Sequence, residues 1–144
     1  MFPPERFARV QAKDTMKRKQ FVKGITQLTQ EGAVQLFRQA DAGTESYIIG
    51  TVGSLQFDVL EYRLKNEYGV DLLMNHLPFE LARWLDGQDV KPSSLRGADR
   101  GMFVYDVKER PVLLVSNEWA LRWVADNNPD IRFLATPADR PPIE

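Results

Sequence analysis

Two glycines and a serine carry the first hint of chemistry in this chain. In "YIIGTVGSLQFDVLEYRLK", from Tyr47 to Lys65, a strand-like run meets Gly50, Gly53 and Ser54 and passes directly into a helical pattern. That layout suits a phosphate loop, which needs backbone amides around the phosphates, a lysine on the outer oxygens and a hydroxyl on magnesium. The spacing fails the test. Only two residues separate Gly50 from Gly53, no lysine follows the turn until Lys65, and Leu55 and Phe57 make the first helical turn apolar. The third glycine of a dinucleotide-binding pattern is missing as well. Gly50, Gly53 and Ser54 are therefore read as an architectural strand-to-helix turn, with Ser54 as the helix cap.

Other constellations are thin. His76 is the single histidine and is read as structural, and there is no cysteine, so a multi-histidine metal site and a thiolate site are excluded. Asp58 and Glu61 stand three apart, a spacing found on any solvated helix face, and neither G-x-S-x-G nor H-E-x-x-H occurs. No catalytic, cofactor-binding or metal-binding residue is assigned. Trp119 and Trp123, four apart among Ala120, Leu121 and Val124, are read as core. Trp84, next to Arg83 in "LARWL", is read first as core and second as a surface that stacks on a base or a partner. Arg83 and Trp84 are thus the weaker contact candidates.

Charge gives the strongest outward signal. Residues 1–30 carry seven basic groups against Glu5 and Asp14, a net +5, whereas the remainder nets −6. Lys17, Arg18, Lys19 and Lys23 cluster on one helical segment and are the candidate contacts to a polyanion. Charge alone does not separate that role from a solvated helix face.

The elements that must position these groups follow from periodicity. "RFARVQA" reads as a strand, and its nearness to residue 1 leads us to expect a piece of a longer polypeptide. Asp14 caps a helix over about 15–31, with Phe21, Ile25 and Leu28 at helical spacing and Gly32 as the stop. Gly24 weakens its middle by about 1 kcal/mol relative to alanine. "AVQLFRQ", the turn "ADAGTES" and "YIIGTV" follow, then a helix over about 55–68 with Leu55, Val59, Leu60, Leu64 and Tyr68 on or near one face, ended by Gly69, and the strand "VDLLMNHL". The order β-α-β-β-α-β predicts a ferredoxin-like unit over 1–77, an antiparallel sheet with both helices on one side. Residues 78–144 predict a smaller β-rich extension packed as one domain with the first half. It comprises the strand "FELARWL", a loose stretch "DGQDVKPSSLRGADRG" read as the best candidate for a mobile loop, and a hairpin of "MFVYDV" and "PVLLVS". A short helix capped by Asn117, the strand "IRFLAT" and a frayed tail "PADRPPIE" complete it. The fold class is α+β.

At 144 residues the chain is long enough to bury a core without disulfides. No apolar run approaches the roughly 20 residues that cross a bilayer. The expectation is a cytoplasmic monomer.

Over residues 2–85 the chain resembles the C-terminal domain of the bacterial peptide chain release factor 3 family. The likeness rests on "PPERFARVQAKDTMKRKQFVKGITQLTQEGAVQLFR", on Gly50, Val52, Gly53, Leu55, Gln56, Phe57, Asp58 and Val59 of a G-x-V-G-x-L-Q-F-D-V segment, and on "ARW" at Ala82–Trp84. Beyond Gly87 the likeness is confined to a hairpin, a helix ending before a proline and a "DIRF"-like strand. The resemblance implies the third domain of a translational GTPase, akin to the ferredoxin-like domain of elongation factor G. In that family GTP and magnesium belong to a separate nucleotide-binding domain, none of whose motifs is present here. It further implies a non-catalytic, ribosome-facing role, with rRNA, small-subunit proteins and the other domains of the same polypeptide as partners, in a factor that removes stop-codon-reading release factors after peptide release. Two other classes stay open on residues alone, a stand-alone enzyme and a ferredoxin-like small-molecule-binding regulatory module.

Overall fold

The computed structural model describes residues 3–39 and 46–137. Strand β1 (Arg6–Ala12), helix α1 (Arg18–Gln30), strands β2 (Gln35–Gln39) and β3 (Tyr47–Thr51), helix α2 (Leu55–Tyr68) and strand β4 (Leu72–Leu77) form the first half. The second half holds β5 (Leu81–Asp86), β6 (Met102–Asp106), β7 (Pro111–Val115), helix α3 (Glu118–Asp126) and β8 (Arg132–Leu134). All eight strands join one antiparallel sheet in the order β4-β1-β3-β2-β6-β7-β5-β8. Its first four strands have the ferredoxin-like order, and the fold is α+β. The turn "ADAGTES" lies, apart from Ser46, outside the described residues, as does the tail from residue 138.

The pleat sends alternate side chains of each strand to opposite faces. In β1 and β3, Ala8, Val10 and Ile49 meet Phe21, Ile25 and Leu28 of α1 and Phe57, Leu60 and Leu64 of α2. Their neighbours Phe7 and Ile48 face the other way, together with Phe37 of β2, and meet Ala82 and Trp84 of β5, Val104 of β6, and Val112 and Leu114 of β7. Strands distant in the sheet order thus share one core, so the sheet folds over on itself about the β2–β6 pair. There Phe37 stands opposite Asp106. A third cluster, with Leu113, Val115 and Phe103, packs under Val124 of α3 and Leu95. Each fully buried aliphatic or aromatic side chain contributes about 1.5–3 kcal/mol, which places the stability of the molecule in these three layers.

Several local features differ from expectation. Asp14 accepts from the Met16 amide at 2.9 Å, and this cap opens a 3-10 turn over Thr15–Lys17 rather than the α-helix itself. In α2 the buried row is Phe57, Leu60 and Leu64, whereas Leu55 and Val59 lie outside it. Gly24 is a packing glycine, because a Cβ there would run into Leu64 and the Tyr68 ring, so it sets how closely α1 and α2 approach. Gly69, by contrast, ends α2 as expected, with φ of +69°, a conformation that glycine adopts without a steric penalty.

The tryptophans of α3 correct the sequence reading most clearly. Trp119 is 79% exposed and Trp123 38% exposed, so neither is core; Val124, with Ala120 and Leu121, holds the helix to the sheet instead. Trp119 and Trp123 stand about 100° round the helix from Ala120 and Val124, so the face that meets the sheet turns them aside. Trp123 rests against Gly97, with the Arg100 guanidinium 3.8 Å above its ring. The stretch read as the mobile loop is anchored in its later part, whereas residues 87–89, 91, 93 and 94 are exposed. Leu95 is buried, and Asn128 ties both backbone groups of Arg96 to α3 at 3.0 and 2.8 Å.

Candidate functional site

The basic residues assigned from sequence gather at the N-terminal end of α1 and along its outer face. Lys17 occupies the helix N-cap position, Arg18 and Lys19 begin the first turn, and Lys23 lies one turn beyond Lys19. Phe21, Gly24, Ile25 and Leu28 hold the inner face, and at 100° per residue Lys19 and Lys23 point away from it. Both are exposed, whereas Lys17 and Arg18 are half-buried. Lys13, which the charge count included and the site assignment omitted, completes the group. With Gln11, Ala12, Thr15 and Arg18 it lines a hollow of about 130 Å³. The chain turn between β1 and α1 brings Lys13 there, and only the fold shows that proximity.

This placement works against the helix. No acidic residue stands in the first turn of α1, and cations at a helix N-terminus face the positive end of the macrodipole, at about 0.3–1 kcal/mol for each exposed charge. The potentials of dipole and side chains therefore add. The result is a surface suited to phosphate oxygens and poorly suited to any cationic partner.

The glycine turn is built differently from its sequence reading. Ser54 occupies the N-cap position of α2, but its side chain makes no capping bond and its backbone is already helical, with φ of −70° and ψ of −26°. The amide of Gly53 donates instead to Gln56 Oε1 at 2.9 Å, and Thr51 Oγ1 donates to the Gly53 carbonyl at 2.8 Å. The bond to Gln56 occupies the Gly53 amide, one of the donors a phosphate would need. Gly50 belongs to β3 itself, where a Cβ would stand 3.0 Å from both Pro4 and Phe37.

Trp84 is 4% exposed and donates its indole N–H to Asp106 Oδ2 at 2.9 Å, inside the core between the sheet halves. At that exposure it matches the first reading, core, and not an open stacking surface, although its edge reaches the wall of a hollow near the β6–β7 hairpin. Arg83 is half-buried on the opposite face of β5 and donates to the Ala82 carbonyl at 2.9 Å. Asp106 gathers the polar groups of this core. Besides Trp84 it accepts from the amides of Lys108 and Arg110 and from Arg110 Nε at 2.7 Å. Burial pushes the Asp106 carboxyl up, but the bonds from Trp84 and Arg110 more than offset it and hold the group below the usual carboxylate range. No buried side-chain nitrogen or oxygen among the described residues lacks a hydrogen-bond partner, which marks a structural network rather than a reactive one.

Among the described residues no group of three or more histidines, cysteines or carboxylates could hold a metal ion, and no helix is long and apolar enough to cross a membrane. A hollow of about 580 Å³ lies between α1, the β3–α2 turn and the β6–β7 hairpin, lined in part by Leu36, Val52, Gln56 and Val107.

Comparison with known proteins is consistent with this geometry. A family model described as "Class II release factor RF3, C-terminal domain" matches residues 1–125. Peptide chain release factor 3 of Symbiobacterium thermophilum is 47% identical over 135 residues, covering 94% of this chain and 25% of that protein. The proteins of the same name from Listeria welshimeri and Lactobacillus acidophilus are 45% and 44% identical, each covering 92% of this chain and 24% of their own length. The chain thus spans about a quarter of the length of these relatives. The match continues well past Gly87, where the sequence alone showed only a faint likeness. This chain belongs to the peptide chain release factor 3 family, as its C-terminal domain.

Proposed function

We propose that this chain is the ribosome-facing domain of a translational GTPase acting in translation termination, and that it is itself non-catalytic. The observation that carries the reading is the family match over residues 1–125. In the full-length factor, GTP and magnesium would be bound by a separate domain, and GTP-dependent recycling of the stop-codon-reading release factors would be the task of the whole polypeptide, in the cytoplasm. No cofactor is assigned to this chain, which is proposed to act as a monomer. Its own contribution is contact with the ribosome, with rRNA and small-subunit proteins as partners. Lys13, Lys17, Arg18, Lys19 and Lys23 support a phosphate contact without base specificity, because ammonium and guanidinium groups on a helix end reach backbone oxygens and release counterions.

The test is co-sedimentation with 70S ribosomes across a salt series, beside a variant with Lys17, Arg18, Lys19 and Lys23 changed to glutamate. Saturable binding that weakens with salt and disappears in the variant is the expected result. Binding unchanged by the charge reversal would remove α1 from the contact. A second reading, a small-molecule regulatory module, draws on the 580 Å³ hollow with its apolar walls. A metabolite that raises the melting temperature by mass action would favour it.

A further inference from the structure

Helix α2 carries an apolar row that nothing among the described residues covers. Val52 and, along the helix, Leu55, Val59 and Tyr62 are 42%, 70%, 43% and 67% exposed. Leu55, Val59 and Tyr62 recur at four- and three-residue steps, so they share one face. That face lies opposite Phe57, Leu60 and Leu64, which fill the core. Scattered exposed apolar residues are ordinary, but an aligned row on the outer side of a helix marks a contact surface.

Two further observations indicate what covers it. Asp58 and Glu61 flank the row on the Tyr62 side, both exposed, with Lys65 and Lys13 beside them, so that rim is mixed in charge and the apolar centre fits a protein surface rather than the phosphates of a nucleic acid. The approach of the chain supplies the second. The Glu5 amide donates to the Thr51 carbonyl at 2.8 Å, one residue before Val52, and Pro4 is buried against Gly50. Pro3 and Pro4 have fixed φ angles, so the polypeptide entering this domain is steered beside the start of the row. In the family this domain is C-terminal, and about three quarters of each relative lies outside the matched region.

We propose that the Val52–Leu55–Val59–Tyr62 row is the surface on which the preceding part of the full-length factor docks, so that α2 sets the angle between this domain and the rest of the polypeptide. The proposal rests on family membership and not on ribosome binding, and either reading can fail without the other.

Hydroxyl-radical footprinting of the full-length factor, free in solution and at several concentrations, tests it. Oxidation of Leu55, Val59 and Tyr62 is read against exposed Trp119 and buried Phe57 and Leu60 in the same molecule, each corrected for intrinsic reactivity. Docking predicts that the row falls to the level of Phe57 and Leu60 at every concentration, while Trp119 stays reactive. It predicts too that changing Leu55 and Val59 to lysine restores Tyr62 oxidation and speeds proteolysis just ahead of residue 3. Oxidation of the row at the level of Trp119 would overturn the proposal. So would protection that is lost on dilution, which points to a second copy, or protection that arises only when ribosomes are added.

Discussion

Helices α1 and α2 lie side by side on one face of one sheet and bury similar inner rows, Phe21, Ile25 and Leu28 against Phe57, Leu60 and Leu64. Their outer faces are opposites. On α1 the outer face carries Lys19 and Lys23, with Lys17 and Arg18 at its head. On α2 it carries Leu55, Val59 and Tyr62 with Asp58 and Glu61 beside them. Arg63 joins the two helices at their edge, reaching Glu67 on its own helix and Glu31 at the end of α1. Packing alone would be served by two identical solvated exteriors. The contrast separates what the fold needs, which is shared by the two helices, from what association needs, which is not.

That separation is open to direct measurement, and the inward substitutions have the largest effects. Leu64→Ala removes a fully buried side chain from the seam and is expected to cost about 3 kcal/mol, read from the urea midpoint. Gly24→Val places methyl groups on Leu64 and Tyr68 and is expected to cost about 2 kcal/mol. An unchanged midpoint would show that the helices can separate without loss. In the second half the interior instead holds a charged group, and Asp106→Asn, which weakens the bonds to Arg110 and Trp84, is expected to cost about 2 kcal/mol at neutral pH.

The same carboxyl gives a pH signature. Its folded-state pKa is depressed, so its contribution is complete above the unfolded value of about 3.9 and is lost as pH falls through the lower folded value. Between neutral pH and strong acid the unaltered protein should therefore lose more stability than Asp106→Asn, and the two curves should converge below about pH 4. Parallel curves would remove Asp106 as the source. The smallest effect is expected outside. Lys19→Glu with Lys23→Glu should change stability by no more than about 0.5 kcal/mol, with Lys19→Glu tending to stabilise because it puts an anion near the helix start. A large loss would mean that the α1 exterior is structural after all.

Much of the architecture was legible along the chain. Alternation in "RFARVQA", helical spacing of Phe21, Ile25 and Leu28, and the stops at Gly32 and Gly69 are local signals, and the elements follow them closely. The exterior of α1 was legible for a similar reason, since charged side chains at known helical steps must leave a core-facing row. What escaped was decided between segments. Leu55 and Val59 were grouped with Leu60 and Leu64, yet the sheet takes the row centred on Phe57, Leu60 and Leu64 and leaves them outside. Trp119 looked like core because tryptophan is large and apolar, but α3 meets the sheet through Val124. Gly97 and Trp123 are far apart in sequence, so their packing gave no local sign.

By itself the sequence determined the elements, their order, the basic outer face of α1 and the absence of thiol and multi-histidine chemistry, because each depends on residue type and short spacing. Only the tertiary structure decided that both halves share one folded-over sheet, that Trp84 is buried on Asp106, that Lys13 stands beside Arg18 and that the α2 row is left uncovered. Those outcomes depend on which faces meet across long separations, and pairwise burial between distant strands leaves no period in the chain to be read.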